Sequence, residues 1–92
     1  MATEVYAIYG RYGKNGRAKV AYTEGEVWEY DGVKYGVTNY EPIGNDEIQK
    51  IGYWKVSELS TGLLVCTGPT KVAARSNAMA LHSKVKKKLR LT

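Results

Sequence analysis

Asp31-Gly32 stands between two runs of strand-forming residues, 26–30 and 33–40. A two-residue turn that matches the twist of the strands it joins needs two successive left-handed backbone conformations, and Asp-Gly is one of the few pairs that adopts them at low cost. The dipeptide therefore predicts an antiparallel hairpin in the middle of the chain. The same logic applies on either side. Gly13-Lys14-Asn15-Gly16 interrupts the β-forming segments 4–12 and 17–23, so residues 4–23 read as a first hairpin. Ser60-Thr61-Gly62 separates the alternating segment 53–59 from the apolar segment 63–67, which gives a third. Residues 41–52 carry Pro42, Gly44, Gly52 and charges of both signs, and read as a connection with one irregular turn of helix.

After Gly68-Pro69-Thr70 the periodicity changes. Ala74, Ala78, Leu81, Val85 and Leu89 fall on one narrow helical stripe, with Thr70 as the N-cap or Pro69 at the first helical position. The expected fold is α+β: an antiparallel sheet of five to six strands built from hairpins, with one long C-terminal helix, about 70–90, packed on one face. Residues 1–92 read as a single domain, large enough to fold without metals or disulfides.

Charge is segregated along this chain. Of its 14 basic and 9 acidic residues, seven basic and no acidic ones lie in the last 22 positions, so that segment is +7 while residues 1–70 sum to −2. A one-sign patch attracts polyanions. Lys71, Arg75, His82, Lys86 and Arg90 form a second helical stripe beside the apolar one. Lys71 and Arg75 sit at the helix start, where the macrodipole is already positive and cations are unfavourable by about 0.3–1 kcal/mol each. An anion held there by Thr70, the first backbone N–H groups, Lys71 and Arg75 would relieve both. A second cluster, Arg11, Lys14, Arg17 and Lys19, is interleaved with Tyr9, Tyr12 and Tyr22, a mixture that suits phosphates and stacked bases.

Reactive groups do not converge. The single Cys66 and single His82 fall on different expected elements, Cys66 reading as a core strand residue and His82 as a surface residue of a cationic helix. The carboxylate pairs Glu24/Glu26 and Glu29/Asp31 read as solvent-facing positions beside a turn. Metal-ligand spacing and phosphate-binding glycine loops are missing, so neither an enzyme nor a cofactor is expected. One cysteine fits a reducing compartment, and the N-terminal residues show no export signal and the chain no membrane span, so a cytoplasmic, soluble protein is expected.

The segment Gly68-Pro69-Thr70-Lys71-Val72-Ala73-Ala74-Arg75-Ser76-Asn77-Ala78-Met79-Ala80-Leu81 resembles the last strand-to-helix junction of double-stranded RNA-binding domains. That resemblance implies a phosphate-gripping role for Lys71 and Arg75. Val72 stands where that family has a second Lys, and its opening helix has no counterpart, since residues 4–23 read as strands. By architecture alone the chain is also similar to the strands-plus-helix, arm-type DNA-binding domains of integrases.

Three functions follow as expectations. The first is a non-catalytic nucleic-acid-binding module contacting DNA or RNA phosphates through Lys71, Arg75, Lys86, Arg90, Arg11, Lys14, Arg17 and Thr70. The second is a small phage-type inhibitor or adaptor that occupies an acidic surface of a partner protein, for which Trp28 and Trp54 are the candidate anchors although each reads as core more than interface. The third is an oligomer that sequesters a nucleotide, its copies paired through a sheet edge.

Overall fold

A computed structural model describes residues 3–11, 18–44 and 47–90. Five strands, β1 (Thr3–Arg11), β2 (Ala18–Tyr30), β3 (Val33–Gly44), β4 (Glu47–Glu58) and β5 (Leu64–Gly68), precede one helix, α1 (Lys71–Arg90). The strands pair in chain order as one antiparallel meander, and α1 packs chiefly on β3, β4 and β5. The expected α+β arrangement of a five-stranded sheet with a C-terminal helix on one face is the one observed.

Asp31 and Gly32 both have positive φ, 49° and 81°, and join β2 to β3 with Tyr30 opposite Val33. This is the anticipated two-residue turn. The Asn15-Gly16 turn lies outside the described residues, but the strands on either side of it pair without a shift from Thr3↔Glu26 to Arg11↔Ala18. The first two hairpins share one continuous strand, β2, which runs through Gly25. A Cβ on Gly36 would overlap the Tyr6 ring, and one on Gly25 would meet the Val37 carbonyl oxygen first, then Thr38 and the Tyr6 hydroxyl.

Residues 41–52 are not a connection. β3 continues to Gly44 and β4 begins at Glu47, and the register shifts between Thr38 and Tyr40 and between Pro42 and Gly44. A bulged ladder accommodates a proline that a regular one rejects, which is why the Pro and Gly signals misled here. β5 is displaced by one residue from the expected 63–67, with a shift beside Val56. The first described element, β1, is a strand, as the reading of residues 4–23 expects.

Side chains alternate across the sheet. On one face Val33, Tyr35, Val37 and Val56 are buried with Ala74 and Ala78 of α1, and Trp28, Tyr30, Trp54 and Cys66 surround them. Two alanines let the helix lie close to the sheet. On the other face Tyr6 and Ile8 are buried with Thr23, Thr38, Lys55 and Ser57. Strand twist coils the sheet over this second face until the Tyr9 N–H donates to the carbonyl of Gly62, at 2.7 Å, in the turn between β4 and β5. Lys55 has Glu41 at 3.7 Å, and burial lowers its pKa from the ordinary 10.5 while Glu41 opposes the shift. Among the described residues no helix is long and apolar enough to cross a membrane.

Candidate functional site

The helix start is closed from within. Thr70 is the N-cap, its Oγ1 accepting the Ala73 N–H at 3.1 Å. Lys71 Nζ donates to Glu26 Oε1 at 2.7 Å, and Arg75 stacks over the Trp28 ring at 4.7 Å. Lys71 also lies 5.5 Å from the Trp54 ring. The hydrogen bond from Lys71 lowers the Glu26 pKa from its ordinary 4.5 against the effect of burial, with a smaller attraction from Arg75. Glu26 is thus the anion that the two cations call for, supplied by β2. Glu26 alternates with Trp28 and Tyr30 on the face of β2 turned toward α1, so its solvent-facing reading is corrected: helix packing turned a strand carboxylate into a helix partner.

The second stripe is spent in the same way at its middle. His82 is buried, contrary to its expected surface position, because it lies four residues beyond Ala78 and eight beyond Ala74 on the packed side of the helix. Its Nδ1 is 2.7 Å from the Tyr35 hydroxyl and its Nε2 is 3.1 Å from Asp31 Oδ2. Lys86 donates to the same carboxylate oxygen at 2.9 Å. The hydrogen bonds from Lys86 and then His82 lower the Asp31 pKa from 3.8. Asp31, chosen by the turn for its backbone, also clamps the helix by its side chain. Two alanines spaced four apart and followed by a histidine at the same step are the signal that marks His82 in the sequence.

A chain of Tyr, His and Asp looks like a proton relay, but Tyr35 is 0% exposed, so no substrate atom can reach its hydroxyl. The network is a polar clamp between layers. Among the described residues no cluster of His, Cys, Asp and Glu is placed to hold a metal ion. Cys66 is half-buried, its Sγ 3.4 Å from the Ala74 carbonyl, and burial raises its pKa above the ordinary 9.0.

Of the other expected contacts, Lys14 and Arg17 lie outside the described residues, as do the side chains of Arg11 and Arg90. What the structure adds is the outer face of the β1–β2 ribbon. The register places Val5, Ala7, Tyr9, Val20 and Tyr22 on the same side, beyond the strands that α1 covers. Tyr9 is 44% exposed and Tyr22 60%, and Val5 and Val20 are also exposed. Tyr22 lies opposite Ala7, and Tyr9 opposite Val20, so the rings are diagonal neighbours across the two strands. Residues 5–23 hold Arg11, Lys14, Arg17 and Lys19 and no acidic residue.

Trp28 and Trp54 pack against the core and accept cations from the helix, so neither stands out as an exposed anchor. Comparison with protein-family models, with curated proteins and with solved structures finds no match for this chain.

Proposed function

We propose that the protein is a non-catalytic module that binds single-stranded nucleic acid on the outer face of the β1–β2 ribbon. The observation that carries this reading is the exposure of Tyr9 and Tyr22 together on one face of a segment whose four charges are all positive. A Tyr ring left in water on a sheet offers a stacking platform to any base, and each stacked base is worth about 1–3 kcal/mol. Arg11, Lys14, Arg17 and Lys19, close to both rings in the sequence, would meet phosphate and steer the strand toward them. Lys71, Arg75 and Lys86 do not enter this reading, since Glu26, Trp28 and Asp31 already engage them. The nucleic-acid expectation is kept, and its centre moves from the helix start to the ribbon.

Anisotropy of a labelled single-stranded oligonucleotide, titrated at several salt concentrations, tests it. Tyr9→Ala and Tyr22→Ala are each expected to weaken binding by about 5- to 150-fold, the range that follows from loss of one stacked base. Reversing Lys87 and Lys88 is expected to cost far less. Binding that ignores both tyrosines and responds only to Lys87 and Lys88 would show diffuse attraction to the helix and end the proposal.

A further inference from the structure

We infer that a second surface, the groove between β5 and the last turns of α1, docks an amphipathic helix of a partner protein whose apolar stripe is flanked by carboxylates. The groove has a volume of about 600 Å³, and its floor is Leu63, Leu64, Val65, Leu81, Val85 and Leu89. Leu63 is 49% exposed and Leu64 54%, directly beside the half-buried side of the helix. Contiguous apolar surface of this kind marks interaction sites.

Shape and charge specify the occupant. Leu81, Val85 and Leu89 advance by four residues at a time, a row about 12 Å long at 1.5 Å per residue. That length takes two turns of a partner helix with apolar anchors three or four residues apart. Lys84 and Lys88 line the same groove, one turn apart on its helix side, and neither has a carboxylate partner among the described residues. The one acid in the lining, Glu58, is held by its own turn: it accepts from the N–H groups of Ser60 and Thr61 at 2.6 and 3.0 Å and from the Thr61 hydroxyl at 2.7 Å. Those donors are neutral and leave Glu58 ionised but buried, so the lining carries two exposed cations against one buried carboxylate, a positive excess that calls for acids alongside the partner's apolar stripe. The helix of a second copy cannot supply them, since residues 71–92 contain no Asp or Glu. A nucleic-acid strand fits poorly, because the floor has no aromatic ring. The inference stands apart from the ribbon reading and shares no residue with it.

The probe is a synthetic helical peptide with Leu at successive three- and four-residue steps and Glu on both flanks, compared with the same peptide carrying Lys in place of Glu. With the full chain, the Glu peptide is expected to bind and to shift the backbone amide resonances of residues 63–65 and 81–89. Lys84→Glu with Lys88→Glu is expected to weaken the Glu peptide by at least about tenfold and to give affinity to the Lys peptide instead. Leu64→Asp, at an exposed position, is expected to abolish both while the dispersed amide spectrum of the folded chain persists. No binding at millimolar peptide, equal binding of the two peptides, shifts elsewhere, or a dimer that Leu64→Asp dissolves would each overturn the inference. Failure of the ribbon reading would appear separately, as oligonucleotide binding indifferent to Tyr9 and Tyr22.

Discussion

The Tyr35 hydroxyl lies 2.7 Å from Nδ1 of His82, joining the centre of the sheet to the buried side of the helix. Asp31 accepts at Nε2, so the network assigns the proton to Nε2 and leaves Nδ1 to accept from Tyr35. Each ring nitrogen has one partner. Tyr35→Phe strands a buried acceptor and is expected to lower stability by about 1–3 kcal/mol. Tyr35→Phe with His82→Leu replaces both polar groups by apolar ones, and is expected to cost less than the sum of the single changes. Urea unfolding of the four proteins checks this, and additive losses would mean that the two side chains are not coupled.

Acid should loosen the molecule at three carboxylates. Glu26 and Asp31 are lowered by their cationic partners. Burial would raise Glu58, but the hydrogen bonds from Ser60 and Thr61 outweigh it and lower it from 4.5. Lowered carboxylates bind fewer protons in the native state than in the unfolded one. Their stabilisation is complete above the ordinary carboxylate values near 4 and is lost as pH falls through the depressed ones. The unfolding free energy is expected to drop below about pH 4.5 and to fall less steeply in Glu26→Gln, which itself costs about 0.5–1 kcal/mol at pH 7 because Lys71 is partly solvated. Glu58→Ala is expected to cost more, about 1–3 kcal/mol, by stranding the turn's donors.

The elements that were legible in the sequence are those whose signals are local. Asp31-Gly32 declares its turn through two positive φ angles, and Thr70 declares the helix start through its own hydroxyl. What stayed hidden depends on contacts between distant segments. Glu26 and Lys71 are 45 residues apart, and the cation at a helix start looked unsatisfied only because its partner is on another element. Pro42 signals a breaker by its residue type alone, because the bulge that accommodates it exists only once β3 and β4 pair. For the site, the basic and aromatic mixture around Tyr9 and Tyr22 was visible, but their exposure follows from where the helix stops covering the sheet, a tertiary property.

Close packing on the concave face separates two glycines that look alike in sequence. Gly36 lies beneath the Tyr6 ring, whereas nothing approaches the position of a Cβ on Gly52 within 4 Å. Gly36→Ala must displace Tyr6 and is expected to cost about 1–3 kcal/mol, the range for overpacking. Gly52→Ala is expected to lie within about 0.5 kcal/mol of the parent. Thermal unfolding of the two variants checks the contrast, and equal effects would mean that Tyr6 does not rest on Gly36.

Cys66 provides the alkaline counterpart to the acid transition. Burial between β5 and α1 raises its thiol above the ordinary 9.0, and burial likewise raises Tyr35 above 10.0. Each group keeps its proton in the native state at a pH where the unfolded chain has begun to lose it. Their contribution is fully present below the ordinary values and disappears as pH rises through the raised ones, so stability is expected to decline above about pH 9. Lys55 acts oppositely, since its lowered pKa makes stability rise with pH up to the ordinary lysine value. Cys66→Ala should remove one part of the decline and leave the rise intact. The same burial keeps the thiolate scarce at neutral pH, so a disulfide reagent is expected to modify the native protein much more slowly than the urea-unfolded chain. Reaction at the unfolded rate would mean that the thiol faces water and that the contact of Cys66 with the Ala74 carbonyl is not maintained in solution.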